Sequence, residues 1–396
     1  MSEAVNIPQL RFPEFNGAWE EKKLGEVVRY TKGFAFKSND YVDSGVRIIR
    51  VSDLGAESIK KDNKSIYLSS ENEHLYDKWK IRKNNIVITT VGSNPDLIES
   101  AVGRGIFIIN DNEGLLNQNM LKLENSTQVN NKFVHCFINS PKYIHHIKAI
   151  KRGNANQANI TVKELLDFKL SITTKPEQQK IAAFLNAVDT KIEQLSKKQE
   201  LLGEYKKGSM QQIFSQAIRF KADDGSEFPD WEEKKLRDVA KITTGSSNRE
   251  DSGLDGQYTF FDRSEDIRTS DRYLFDGKAV IVAGEGSRFP PKYFEGKFDL
   301  HQRTYAIMEF VEANSKYIFY FVDKQKNYLL RYAVGSTVKS LRLPIFQKMP
   351  VSLPSLPEQT KIANFLSSID NKIEQVGGQL DKSKQFKKAL LQQMFV

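Results

Sequence analysis

The chain repeats its own framework. Trp19-Glu20-Glu21-Lys22-Lys23-Leu24 returns as Trp231-Glu232-Glu233-Lys234-Lys235-Leu236, and Pro176-Glu177-Gln178 returns as Pro357-Glu358-Gln359. The opening phrases lie 212 residues apart and the closing phrases 181, so the second copy is about thirty residues shorter between its frames. The text inside the frames is mostly different. Self-similarity on this scale decides architecture before any local motif does. A copied frame with divergent contents suits two different surfaces presented in one geometry.

With 396 residues, 39% of them hydrophobic, the chain holds enough apolar material for two cores, and each copy has the size of a domain. A net charge of +9 suggests a polyanionic partner, and charge alone leaves nucleic acid, an anionic membrane and simple solubility open, membrane being the weakest of the three. No run of about 18 apolar residues is present, and Met1 to Gln9 has neither the basic start nor the apolar core of a secretory signal, so a cytoplasmic protein is expected. The single cysteine, Cys136, excludes an internal disulfide, and its setting in Phe133-Val134-His135-Cys136-Phe137-Ile138 predicts a small core residue.

Each copy divides into a globular part and a helical part. From Leu24 to about Ile172 the runs Arg47 to Val51, Asn85 to Val91 and Gly105 to Ile109 are β-rich and broken by Gly, Asn and Asp. Asn131 to Lys151 carries apolar residues at helical spacing, predicting one or two helices. In the second copy Ala279 to Ala283 matches the strand Ile86 to Val91, and Lys316 to Phe321 begins the matching helical stretch.

Proline, glutamate and glutamine then open a long helix in each copy. Pro176 and Pro357 suit a first helical turn, and Glu177 and Glu358 suit the positive end of the helix dipole. Leu185, Val188, Ile192, Leu195, Leu202 and Ile213 follow three- and four-residue steps, as do Leu366, Ile369, Ile373, Val376, Leu380, Leu390 and Met394. Polar residues interrupt both seams: Gln199, Lys206 and Ser209 in one, Ser383 and Lys387 in the other. A long coiled coil is one reading of these seams and an ordinary surface helix the other; the same seam occurring twice favours the coil, and since nearly half of the aligned residues from Pro176 to Phe214 and Pro357 to Phe395 are identical, the helices are expected to be near-equivalent partners. If the helices lie antiparallel, the copies are related by a pseudo-twofold axis. Leu185 to Ile213 would span about 42 Å at 1.5 Å per residue, slightly more than one turn of B-DNA at about 34 to 36 Å.

The duplicated order of opening phrase, strand-rich domain, Gly loop, Pro-Glu-Gln and long helix resembles the specificity subunits of type I restriction-modification systems over nearly the whole chain. The resemblance implies an α+β protein with two target-recognition domains, 24–173 and 231–354, separated by two long helices that form an antiparallel coiled coil. Around them would lie an N-terminal arm (1–23), a first conserved helix (174–217), a connector (218–230) and a second conserved helix (355–396). It further implies a non-catalytic subunit that binds a bipartite, asymmetric double-stranded DNA target, one domain to each half-site. Two modification (methyltransferase) subunits and the restriction (translocase/nuclease) subunits would dock on it. No cofactor is expected on this chain; S-adenosylmethionine, Mg²⁺ and ATP are expected on the partner subunits.

Base reading needs Arg, Lys, Asn and Gln on well-supported loop tips. Four loop groups in the first domain satisfy this: Lys32 with Lys37 and Asn39; Ser93 and Asn94; Asn117, Gln118 and Asn119; and Lys151, Arg152, Asn154 and Gln157, with Asn156 between. The second domain offers, in the same order, Ser246, Ser247, Asn248 and Arg249; Ser287 and Arg288; His301, Gln302 and Arg303; and Ser336, Thr337, Lys339 and Arg342. As isolated segments they also read as ordinary turns with solvated polar residues.

The enzymatic alternative is a stand-alone DNA methyltransferase or restriction endonuclease. The acidic and lysine residues of Pro229 to Lys234 lie within one short segment, whereas metal-dependent cleavage needs carboxylates converging from separate strands. Asn94-Pro95-Asp96-Leu97 departs from the Asn-Pro-Pro-aromatic tetrapeptide in its third and fourth residues, and no Gly-rich cofactor turn or P-loop accompanies it. His145 and His146 are adjacent, so their side chains diverge on a helix. A third alternative, a coiled-coil scaffold with no nucleic-acid role, leaves the positive charge and the repeated polar loops without a purpose.

Overall fold

The computed structural model of the protein describes residues 6–61, 64–97, 101–124, 126, 128–138, 140–154, 157–264, 266–336 and 338–395. The chain forms two compact units, Met1–Gln194 with Leu380–Val396, and Leu195–Gln379.

In the first unit the buried run at Ile86–Thr89 becomes a central strand, antiparallel to both Met120–Glu124 and Gly105–Phe107; Arg29–Lys32 completes a four-stranded sheet. Alternate residues of this sheet serve different cores. Ile86, Ile88, Leu121 and Leu123 face the cluster that contains Phe133, Tyr143 and Ile147 from helices Asn131–Phe137 and Pro141–Ile150. Val87, Ile106 and Met120 face a second cluster with Ile49 and Leu116. The latter two come from a five-stranded sheet in which Val46–Ile49 and Gly114–Leu116 run parallel. Cys136 is a buried free thiol that burial pushes up to about 12, as befits a core residue.

The second unit repeats the plan with one sheet of six strands, ordered Lys241–Thr244, Thr304–Met308, Phe275–Ala283, Lys292–Leu300, Tyr258–Phe261 and Arg268–Ser270. Again the central strand divides its residues: Val280 and Val282 join Ile307 and helix residues Tyr317, Ile318 and Phe321, while Ala279 and Ile281 join Ala306, Phe298 and Leu300. The strand is longer than the apolar run Ala279 to Ala283 indicates, because Phe275 to Lys278 extend it along Lys292–Leu300.

The repeated phrases are the parts that close each unit. Glu20–Lys23 pairs antiparallel with Lys169–Ile172, and Glu232–Lys235 with Pro350–Leu353, so the opening phrase is the partner of the strand that leads into the long helix. At the start of those helices, Lys175–Phe214 and Leu356–Met394, the Glu and Gln of the closing phrase are buried. Arg11 donates to Glu177 through Nε and a terminal nitrogen at 2.7 and 2.8 Å, and Thr173 donates its hydroxyl to the same carboxylate. In the other unit Arg219 donates at 3.2 and 2.9 Å to Glu358, joined by Trp231 Nε1 at 3.1 Å. Gln178 accepts from the Asn130 amide at 2.9 Å and donates to the Thr173 carbonyl; Gln359 accepts from Asn314 at 2.7 Å and donates to Pro354. Asn130 and Asn314 are the N-caps of helices Asn131–Phe137 and Ser315–Lys324, so one glutamine fixes one helix against an earlier one.

The long helices have 40 and 39 residues, about 60 Å each at 1.5 Å per residue. In the first unit Ile181, Ala182 and Leu185 from the start of one helix share a core with Leu390 and Met394 from the end of the other. In the second unit Met210 and Ile213 share a core with Ile362, Ala363, Leu366 and Ile369. Start meets end in each unit, which is antiparallel pairing. A phenylalanine at or just past the end of each helix is seated in the other copy's core: Phe395, following Met394, packs on Trp19, Phe133 and Phe137, and Phe214 on Tyr317 and Phe321. Two of the polar seam residues that look like defects in the sequence are reciprocal ion pairs. Lys387 meets Asp189 at 2.7 Å, and Lys206 meets Asp370 at 2.6 Å. Each lysine lies thirty residues after its helix proline and each aspartate thirteen, so both pairs define one antiparallel register.

Two outcomes follow for stability. Glu358→Ala deprives the Arg219 guanidinium, whose side chain is only 19% exposed, of its buried carboxylate partner, and leaves the indole N–H of Trp231 without its acceptor. The expected loss is about 3–5 kcal/mol in chemical denaturation, against less than about 0.5 kcal/mol for Glu232→Ala on the exposed strand. His135 is held neutral in the fold, its pKa pushed down to about 3 by burial and then by Lys132 and Lys387. An unfolded chain takes up that proton below about pH 6.5. The contribution is therefore complete above pH 6.5 and is lost as pH falls toward 3, on the order of 2 kcal/mol by pH 5. Denaturation across pH 5 to 7.5 should show this slope, flattened in His135→Gln; an unchanged slope in the variant would remove His135 as its source.

Candidate nucleic-acid interface

Apart from Lys37 and Asn39, the four polar loop groups of each unit converge on the end of its central strand. Groups one and three meet first. The Gly33 amide donates to the Met120 carbonyl at 2.9 Å and the Phe34 amide to Leu116 at 3.0 Å. A Cβ on Gly33 would lie 1.8 Å from the Asn117 carbonyl oxygen, so only glycine allows this approach. In the second unit Ser247 donates to Leu300 at 3.3 Å and Gln302 to Ser247 at 3.0 Å, while a Cβ on Gly245 would lie 1.6 Å from the Leu300 oxygen. Groups two and four meet as small sheets. Val91–Gly92 pairs with Ala158–Asn159, which pairs with Arg152–Gly153; Glu285–Gly286 pairs with Lys339–Ser340.

One residue joins the two halves of each array. Thr90 donates its amide to the Asn119 carbonyl at 2.8 Å and accepts from the Ile160 amide at 2.9 Å. Gly284 donates to the Arg303 carbonyl at 2.8 Å and accepts from Leu341 at 2.7 Å. The same backbone relay thus gathers the loops in both units although their side chains differ.

The side chains fall into distinct settings. Asn39, Gln118, Asn119, Asn154, Gln157, Ser246, Ser287, Arg288, Ser336 and Arg342 are exposed, as is Lys32, whose carbonyl accepts from the Trp79 indole at 3.0 Å. Ser93, Asn94, Asn117 and Lys339 are half-buried. Lys37 and Asn39 belong to the separate turn around Ser38–Asp40, and neither side chain bonds to the other loops among the described residues. Lys151 reaches Asn94 Oδ1 at 3.3 Å, and Gln302 donates to Asn248 Oδ1 at 2.7 Å, tying neighbouring loops together. Arg152 holds both oxygens of Glu164 at 2.7 and 2.6 Å, which keeps that carboxyl down at about 2. Ser247 is buried, and its hydroxyl donates to the buried Asp299 at 2.6 Å. It supports its loop from beneath and offers nothing outward. Thr337 and Asn156 lie outside the described residues.

In the second unit Arg249, His301, Gln302 and Arg303 line a cleft of about 270 Å³ with Asp262, Arg263 and Glu285. Arg303 and Arg263 approach the two oxygens of Glu285 at 2.5 and 3.4 Å, and Arg249 lies 3.6 Å from Asp262. The Arg303 amide donates to His301 Nδ1 at 3.0 Å, which requires an unprotonated Nδ1 and leaves the imidazole proton on Nε2. Burial lowers the His301 pKa, favouring that neutral form. Burial would raise the Asp262 carboxyl, but donors from Ser264, with Arg249 and His301 nearby, hold it below its ordinary value. Asp262 and Arg263 carry no sequence pattern that marks them, whereas Glu285 lies within the loop group Gly284 to Arg288 without standing out as a DNA-contact candidate. Asp262 and Arg263 arrive because Tyr258–Phe261 runs parallel to Lys292–Leu300, a pairing between distant segments. Arg11 and Arg219 carried a legible signal, since Arg-Phe precedes the tryptophan in both copies. Among the described residues no group of three His, Cys, Asp or Glu is placed to hold a metal ion, and no helix is long and apolar enough to cross a membrane.

Comparison with known proteins places this architecture. Residues 16–202 and 229–382 match the type I restriction modification DNA specificity domain. The chain is 24% identical over 92% of its length to the type I restriction enzyme MjaVIII specificity subunit of Methanocaldococcus jannaschii, covering 88% of that protein. It is 31% identical to the EcoDI specificity subunit of Escherichia coli over 41% of this chain and 37% of that one. The crystal structure of the type I restriction-modification S subunit from M. genitalium shares the fold, with a TM-score of 0.67 at 16% identity, over 98% of this chain and 99% of the other. A chain from a study of complex assembly and conformational transition in the type I system aligns with a TM-score of 0.51 at 16% identity, over 94% and 96% of the two chains. With a specificity domain in each of its two copies, the chain belongs to the type I restriction-modification DNA specificity family and is the non-catalytic DNA specificity subunit of such a system.

Proposed function

We propose that the two recognition domains, 24–173 and 231–354, each read one half of a bipartite, asymmetric duplex target through the converged loops. The observation that carries this reading is the backbone relay repeated at Thr90 and Gly284, which builds the same platform twice and decorates it differently. Different side chains on equivalent platforms favour two different half-sites. The exposed Arg, Lys, Asn and Gln of these loops supply the donors and acceptors that base edges and phosphates require. The arm 1–23, the helices 174–217 and 355–396 and the connector 218–230 form the shared frame. On it two modification subunits and the restriction subunits dock, carrying S-adenosylmethionine, Mg²⁺ and ATP.

Domain exchange tests the modular part of this reading. Replacing residues 24–172 with the corresponding part of a related subunit should change one half of the methylated sequence in cells and leave the other half and the spacer as they were. A change in both halves would contradict one domain per half-site. Gly245→Ala tests the platform itself, since its Cβ has no room against the Leu300 carbonyl. The expected result is at least tenfold weaker discrimination in the half-site read by the second domain, with the first half-site unaffected; wild-type discrimination in both would separate the loop platform from DNA reading.

A further inference from the structure

The cleft of the second unit has a chemistry that selects one base pair. Glu285 forms its floor, with its side chain 16% exposed, while Arg303 and Arg263 stand at the rim with 63% and 60% exposure. Arg303 uses one terminal nitrogen on Glu285; its Nε and second terminal nitrogen have no partner among the described residues. The backbone beneath it is pinned at both ends of the residue, the amide to His301 Nδ1 and the carbonyl to Gly284. A preorganised fork of donors therefore stands beside a carboxylate that retains acceptor capacity.

We propose that this cleft reads a G·C base pair in the major groove, with Arg303 donating to guanine O6 and N7 and Glu285 accepting from the cytosine amino group. The inference rests on the DNA-reading role proposed above and adds the identity of one base pair. Across a G·C pair the groove edge presents two adjacent acceptors and then a donor, the complement of a guanidinium followed by a carboxylate. An A·T pair presents acceptor, donor, acceptor, which sets the adenine amino group against the guanidinium. A phosphate contact fits poorly, because Glu285 and Asp262 place two carboxylates where the anion would sit.

The test uses the full-length chain, alone and with its modification subunits, equilibrated with a pool of randomised duplexes whose bound fraction is sequenced. Wild-type protein should enrich a G·C pair in the half-site read by the second domain. Arg303→Ala should lower preference at that pair by about 5- to 150-fold while the other positions, and the whole first half-site, keep their preferences; the retained half-site reports an intact fold. Arg303→Lys should restore part of the guanine preference. An enriched second half-site without a G·C pair, or one whose preferences survive Arg303→Ala, overturns the inference and leaves DNA reading by this domain standing. A uniform loss of affinity with a shallower salt dependence assigns Arg303 to phosphate and also overturns it. No enrichment at all in the second half-site would instead bring down the reading on which it rests.

Discussion

Glu177 and Glu358 are carboxylates removed from solvent at the N-termini of the two long helices, and the frame of each copy is organised around them. A buried charge is tolerated only when paired and hydrogen-bonded, and an arginine from outside the helix meets that demand in both copies. The helix dipole adds a favourable field at the same point. Arg11 also donates to the Gly17 and Asn16 carbonyls, and Arg219 to Phe228 and Pro229, so each guanidinium folds its own approach segment onto the helix start. The neighbouring glutamine extends the lock to the N-cap of an earlier helix in the globular part. Sequence repeats here because every member of the network constrains the others.

The helix seam applies the same logic along its length. A purely apolar seam gives antiparallel helices little reason to choose one register. Lys206 with Asp370 and Lys387 with Asp189 can both form in only one offset, and polar seam groups characteristically specify register at some cost in stability. Asp189 is also held by Lys132, and Asp370 by the Tyr320 hydroxyl, both at 2.7 Å, so the register is tied to a helix of each globular part. The polar interruptions of the sequence pattern are thus part of the specification.

The loops obey a different constraint. Their backbones repeat through the Thr90 and Gly284 relay while their side chains are unconstrained by it, so side-chain chemistry differs between the copies without disturbing the platform. The glycines at 33 and 245 are the fixed points, set by contact with a carbonyl and not by side-chain chemistry. Ser247 shows the limit of reading polarity as exposure: a small hydroxyl is as suited to binding a buried aspartate as to meeting a ligand.

By itself the sequence determined the duplicated frame, the strand-rich domains, the long helices and their partnership, because these depend on periodicity, capping chemistry and the repetition of whole phrases. It also marked the four loop groups, since Gly, Asn and basic residues cluster there for local reasons. Only the tertiary structure decided which loops meet, that Ser247 turns inward, and that Asp262 and Arg263 stand beside Arg303. Those outcomes depend on strand pairings between distant segments, such as Tyr258–Phe261 against Lys292–Leu300, and a local pattern carries no information about which distant strand will lie beside it.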